Sequence, residues 1–306
     1  GRQVNLGGGV AGNRINPALF SPAALNIARR LPATTDPCGQ ITFSTTDDSN
    51  EGQGIGRIDY QWSANHSVFG RYMATFEKKS PAYQGGSDNV LKAVNTGNDN
   101  FAHAVTLGDT MVFGPTAVNA IRVAYNPTTV DRYTTPYFSP TDVGIKLFPY
   151  LPGQMPIEVE GGFELPAGTT PASFRNSFYQ VADDFTLVRG QHQFGIGGSV
   201  AHANGTYRSS SRAAGIWLFD GSATGLGLAD FMRGRITSVE HGAVQDLPVH
   251  SWYLGLYAQD TWRATNRLTF NLGLRWEPYF GVSAENNAVY NFNLDNFRRG
   301  IKSNVF

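Results

Sequence analysis

Apolar side chains recur at every second position over long stretches of this chain. The clearest case is residues 251–279, SWYLGLYAQDTWRATNRLTFNLGLRWEPY. Leu268, Phe270, Leu272, Leu274 and Trp276 share one parity there, and Thr269, Asn271, Gly273, Arg275 and Glu277 share the other. A strand has a side-chain period of two, so this pattern predicts one greasy face and one polar face. Each arm runs to roughly a dozen residues, against about five or six for an ordinary strand. That length with alternation fits strands that cross an outer membrane, apolar side to lipid and polar side to a lumen.

The same hairpin pattern recurs along the chain. Ile58, Tyr60 and Trp62 alternate with Arg57, Asp59 and Gln61, and after a polar turn at 63–66 Tyr72, Ala74 and Phe76 alternate with Arg71, Thr75 and Glu77. A second hairpin is expected at about 100–126, turning at Phe113-Gly114-Pro115-Thr116, and a third at about 177–207, turning at Arg189-Gly190-Gln191-His192. Asp183 is the one charge on the apolar parity of the third. Turns at 63–66, 113–116, 189–192 and 263–267 are short, whereas the connections at about 79–99 and 127–176 are long and rich in Pro, Gly, Tyr and Asn. Short periplasmic turns and long outer loops are the habit of outer-membrane barrels. To keep the strands alternating in direction, two further crossings are placed at 213–220 and 235–244, with a short helix around 228–232 on the periplasmic side. The expectation is an all-β, antiparallel, up-and-down transmembrane β-barrel fragment of about ten long strands, with one or two short helices. Residues 1–53 read as an outer loop segment with a short helix, capped by Ser21 with Pro22 at its first position. Residues 54–280 read as barrel strands and loops, and 281–306 as a loop segment, truncated.

Composition narrows the function classes. The 306 residues carry 24 basic and 24 acidic side chains, so no net field invites nucleic acid. Charged residues are only 16%, below the roughly 25% of a soluble domain. No run of about 18 apolar residues exists, which excludes a transmembrane helix but not a barrel strand. The lone Cys38 excludes an internal disulfide and a cysteine-built zinc site. The six histidines show no paired metal spacing, and neither a nucleophile elbow nor a phosphate loop occurs. Adjacent Asp183 and Asp184 point to opposite faces of a strand and cannot share a proton. No catalytic residue, metal or cofactor is therefore assigned, and the chain is read as a non-enzyme. His103 falls on the apolar row, where an amphipathic ring is tolerated near an interface.

An ordered set of short motifs carries a resemblance. Gly12-Asn13-Arg14-Ile15, Arg57-Ile58-Asp59-Tyr60, Phe69-Gly70-Arg71-Tyr72, Phe113-Gly114-Pro115-Thr116 with Asn119 and Arg122, Ala229-Asp230-Phe231, Tyr257-Ala258-Gln259-Asp260-Thr261-Trp262 and Leu268-Thr269-Phe270-Asn271-Leu272-Gly273-Leu274-Arg275 follow one another along nearly the whole chain. In order and spacing the set resembles the barrel of TonB-dependent outer-membrane receptors, nearest the Oar-like subfamily. The resemblance implies location in the bacterial outer membrane and energy-coupled uptake of a bulky, scarce solute. Its implied partners are membrane lipid, a plug domain and the TonB energy-coupling complex; plug and TonB box are missing from this stretch, which then reads as an internal piece of a longer protein. Lumen-facing Arg57, Asp59, Arg71, Glu77, Arg275 and Glu277 are expected to bond the plug, one another or a polar solute. Tyr133, Tyr137, Phe138, Phe148 and Tyr150 are outer-loop candidates for solute contact, since aromatics dominate contact energetics; the alternative is that they cover the loop's own small core. Two other readings stand beside the receptor: a soluble extracellular β-sandwich or propeller module for carbohydrate or adhesion, and a passive porin. A sandwich requires one face of each sheet to be buried, which the strand facing decides.

Overall fold

Four tight turns set the frame. Residues 64–65, 190–191 and 266–267 are two-residue connections, and 114–116 is a three-residue one. Gly114 and Gly190 take φ of 61° and 62°, the left-handed region that a Cβ resists. The computed structural model describes residues 6–8, 10, 12, 14–46, 48–165, 171–285 and 292–302. Asn13, and the parts of the expected closing loop at 286–291 and 303–306, lie outside the described residues.

The turns join long strands: β1 (Ser49–Ser63), β2 (His66–Lys79), β3 (Gly97–Phe113), β4 (Ala117–Tyr133), β7 (Ala172–Arg189), β8 (His192–Ser209), β11 (Gln245–Thr265) and β12 (Leu268–Trp276). They pair in the order β1-β2-β3-β4-β7-β8-β11-β12, antiparallel throughout, as a meander whose sheet is not closed. Two-residue β13 (Ser283–Ala284) pairs with β11 at Val249 and His250, beyond the end of β12. The last strand is thus one line of pairing broken at 277–282, where Pro278 has no N–H for a ladder.

Direct cross-strand partners share a face, so the registers assign every side chain. Tyr72, Val105, Tyr125, Tyr179, His202 and Trp252 stand in one row across six strands. Gly70, Leu107, Val123, Val181, Val200 and Leu254 form the next row. Leu272, Leu274 and Trp276 continue this apolar face on β12. It lies open: Leu274 is 78% exposed, and among the described residues no second sheet covers it. His103 belongs to the same face, beside Phe101 and with Nδ1 2.6 Å from the Tyr72 hydroxyl.

Glycines seat the large side chains of neighbouring strands. A Cβ at Gly108 would meet the Phe69 ring at 2.1 Å, and one at Gly197 would meet Tyr257 at 2.5 Å. Both glycines are the direct register partners of those rings. A ring lying flat over a glycine fills the space its missing side chain leaves. This accounts for part of the high glycine content on physical grounds.

The long connections fold together into a cap of their own. Its elements are α1 (Pro22–Ala28), β5 (Ile157–Val159), β6 (Glu164–Leu165), β9 (Ile216–Phe219), α2 (Gly227–Arg233) and β10 (Ser238–Glu240). The four strands pair as β10-β9-β5-β6, with β5 and β9 parallel. Ser21 caps α1, its side chain accepting from the Ala24 N–H at 3.5 Å. Ile27, Met155, Ile157, Leu165, Trp217, Phe219 and Phe231 form the buried core, to which no residue of the eight long strands contributes. Asp230 is fully buried but satisfied, accepting from Thr224 Oγ1 at 2.6 Å and the Ala223 N–H at 3.0 Å.

Two expectations are corrected here. The crossings placed at 213–220 and 235–244 do not exist: β8 pairs directly with β11, from Ser209↔Gln245 to His192↔Trp262. Among the described residues the main sheet has eight long strands rather than about ten. β9 and β10 are four and three residues long, and a membrane crossing takes about 9–11. The helix around 228–232 forms as α2, but it packs on α1, β5 and β9 in the cap, at the end opposite the short turns. Burial of Phe231 against Phe163 and Phe219, at ring distances of 5.1 and 5.4 Å, holds it there. A short third helix, α3 (Leu294–Arg298), follows the sheet and buries nothing.

Candidate functional site

The polar face of the sheet gathers the ionisable side chains that alternation predicts, in two groups. On β1 and β2, Arg57 pairs with Asp59 at 2.6 Å and its guanidinium lies 4.0 Å from the Phe69 ring centroid. Arg71 Nη2 approaches Thr106 Oγ1 at 3.5 Å. Glu77 accepts from Asn100 Nδ2 at 2.6 Å.

The second group spans β4, β7, β11 and β12. Asp184, Gly197, Tyr257 and Arg275 stand in one row. Because Gly197 has no side chain, Tyr257 reaches across it and donates to Asp184 Oδ1 at 2.7 Å. Asp184 Oδ2 holds Arg122 at 2.9 Å. Arg275 bonds Glu277 and donates to the Tyr253 hydroxyl at 2.8 Å, which in turn donates to Glu277 at 2.6 Å. Arg122, Asp184, Tyr253 and Tyr257 join the expected Arg275 and Glu277. Their parity placed them on this face, but their contacts depend on cross-strand register, which the sequence does not print.

Asp183 and Asp184 do face opposite ways, the former bonded to Asn119 Nδ2 at 2.8 Å on the apolar face. Glu51 and Glu77 stand directly opposite each other and line one open cavity at the outer end of β1 and β2, while no cluster of three or more metal-ligating side chains occurs among the described residues. The polar face is a wall of donors and acceptors, suited to contact with a polar surface.

The aromatic candidates of the outer loop divide. Phe138 is 4% exposed and Tyr137 packs against the cap core, its hydroxyl accepting from the Met155 N–H at 3.1 Å. Burial pushes the Tyr137 phenol well above its ordinary range. Tyr133 lies over Gly97 and donates to the Lys79 carbonyl at 3.0 Å, closing the outer ends of β2, β3 and β4. Phe148 and Tyr150 remain open, at 72% and 48% exposure, edge to face at 5.3 Å. His241 stacks on Tyr150 at 5.1 Å, a neighbour that no sequence pattern marked.

The family model described as outer membrane beta barrel domain matches residues 1–305. No curated protein matches the chain. Among solved structures the chain is similar to the outer membrane transporter YddB from Escherichia coli, with a TM-score of 0.45 at 9% identity. The match covers 81% of this chain and 30% of that one.

Proposed function

The chain belongs to the outer membrane β-barrel domain family, and from that premise we propose that it forms part of the wall of a TonB-dependent, Oar-like receptor taking up a bulky, scarce solute. The chain is an outer-membrane β-barrel domain, so its open apolar face meets lipid and its polar face the lumen. The observation that carries the proposal is the polar face of β4, β7, β11 and β12, where Arg122, Asp184 and Tyr257 form one bonded group and Arg275, Tyr253 and Glu277 form a second beside it. Such a wall offers charge-assisted bonds to a plug domain held inside the barrel, and these strengthen where water is excluded.

The free edges of β1 and β12 fit the same picture. Among the described residues neither edge has a partner strand along its length. An unpaired backbone group in hydrocarbon costs several kcal/mol, so further strands of a larger barrel would pair there. Capture would begin at the cap, where Phe148, Tyr150 and His241 offer an aromatic surface to the outside. Energy delivered through TonB would then move the plug away from the polar wall and open a path inward.

The test uses the full-length protein in two assays. Uptake of solutes from spent medium is compared in cells with an intact proton gradient and in cells treated with a protonophore. Energy-coupled transport predicts uptake that stops with the gradient. Proteoliposomes of the same protein are then tested for swelling in sugars of graded size. Swelling that falls smoothly with solute size, together with gradient-independent uptake, would establish the passive pore instead.

A further inference from the structure

The polar face of the β1–β2 hairpin carries two like-charged pairs. Glu51 stands directly opposite Glu77, and nearer the turn Arg57 stands directly opposite Arg71. Like charges placed so on neighbouring strands destabilise a sheet. On the same face Asp59, Asp184 and Glu277 each hold an arginine. Among the described residues neither Glu51 nor Glu77 has one; Glu77 accepts from Asn100 Nδ2 at 2.6 Å instead. The basic pair is answered only in part. Arg57 pairs with Asp59 and lies over the Phe69 ring, while Arg71 bonds the Thr106 hydroxyl at 3.5 Å and, among the described residues, no carboxylate.

Between the two pairs Gln53 faces Thr75 and Ile55 faces Met73. From its outer end inward the hairpin thus presents an acidic level, a polar one, an apolar one and a basic one. The strip is open: the two glutamates, Gln53, Thr75, Asn100 and Thr128 border a cavity of about 560 Å³, and Ile55 is 66% exposed. The residue numbers put the acidic and basic levels roughly 20 Å apart along the strand.

We propose that this strip binds a linear peptide of about six residues, its free amine at Glu51 and Glu77 and its carboxylate at Arg71. The inference rests on the uptake reading above and gives the solute its class. An ammonium set between two carboxylates relieves their repulsion and makes charge-assisted hydrogen bonds to both. An extended chain advances about 3.3–3.6 Å per residue, so roughly six residues reach from one level to the other. Gln53 and Thr75 offer polar atoms to the peptide backbone, and its central side chains meet Ile55 and Met73. A neutral polyol answers neither pair, and a compact ion answers only one.

The test is calorimetric titration of the full-length protein in detergent with the peptide Ala-Ala-Leu-Leu-Ala-Ala. Acetylating its amine or amidating its carboxylate should each weaken binding about tenfold, the scale of one charged hydrogen bond. Glu51→Gln with Glu77→Gln should remove the acetylation effect and keep the amidation effect, and Arg71→Gln should do the reverse. These substitutions relieve like-charge repulsion, so heat-modifiable migration should stay unchanged and report the fold. Ala-Leu-Ala, too short to span both levels, should bind about tenfold more weakly or worse. Absence of binding by the longer peptide would overturn the proposal and leave a plug to answer both pairs. Caps that make no difference, cap effects that persist in the matching variant, or equal binding of Ala-Leu-Ala would overturn it as well. Binding needs no proton gradient, so uptake that ignores a protonophore would strike at energy coupling and leave this result standing.

Discussion

At the scale of single residues, the glycine seats carry a clear consequence. A Cβ at Gly197 would meet the Tyr257 ring at 2.5 Å and the Asp183 carbonyl oxygen, a backbone atom, at 2.6 Å. Gly197→Val is expected to push Tyr257 off Asp184 and to cost about 1–3 kcal/mol, the usual range for overpacking. Tyr257→Phe removes only the hydroxyl bond and should cost about 1 kcal/mol. Thermal unfolding in detergent separates the two, and equal melting of Gly197→Val and the unchanged protein would refute the seat. Tyr137 makes a pH prediction. Its phenol is held above the ordinary 10.0 by burial, while the Met155 N–H it accepts opposes that shift more weakly. The folded state therefore favours the neutral form. The resulting stability is complete below pH about 10 and is lost as pH rises toward the folded-state value. Hydrogen exchange at Met155 should accelerate above pH 10. Tyr137→Phe should weaken the cap at neutral pH by about 1–2 kcal/mol and remove the alkaline step, because the N–H loses its acceptor.

At the scale of elements, the two parities of β12 give a paired test. Leu272→Arg places a charge on the lipid face and should cost about 2–4 kcal/mol near mid-depth, while Asn271→Arg on the lumen face should be nearly neutral. Urea unfolding from lipid vesicles reads both, and equal costs would mean the facing is misassigned. The hairpins were legible because period two is imposed by the pleat itself, and because Gly114, Pro115 and Gly190 mark where pairing stops. Ser21 and Pro22 marked the start of α1 for equally local reasons. The 210–244 connection was not legible. Short apolar pieces such as Ile216–Phe219 alternate as membrane strands do, and strand direction gives no warning, because removing two crossings leaves every direction unchanged. The final arm was read to Tyr279 and ends at Trp276, since the registry of β13 on β11 is a tertiary fact. The site divides the same way. Parity alone places Arg57, Asp59, Arg71, Glu77, Arg275 and Glu277 on the polar face, but which partner each one finds depends on register. Tyr137 and Phe138 differ from Phe148 and Tyr150 only through the folding of an irregular loop, which has no period to read.

At the scale of the whole molecule, two solvents act on one chain. The sheet gives its apolar face to lipid and needs no core, whereas the cap stands in water and must build one from Ile27, Met155, Ile157, Trp217, Phe219 and Phe231. The two parts share backbone but no buried apolar cluster, so damage to one should leave the other standing. The 210–244 connection supplies β9, α2 and β10 to the cap, yet the wall beneath it is continuous, since Ser209 already pairs with Gln245. Replacing residues 210–244 with a short Gly/Ser linker in the full-length protein should leave barrel insertion and heat-modifiable migration unchanged. The same replacement removes Trp217, Phe219 and Phe231 from around Met155 and Ile157, exposing surface that each large side chain stabilises by about 1.5–3 kcal/mol when buried. The 134–165 loop should then become sensitive to external protease, at its own Lys146 for trypsin, while Phe231→Ala alone should give a partial version of that sensitivity through a cavity costing about 3–5 kcal/mol. If the linker variant instead fails to insert, the cap is needed to close β8 on β11, and the separation of cap from wall is wrong. If it inserts and the loop stays protected, the remaining segments of the cap hold one another without that core.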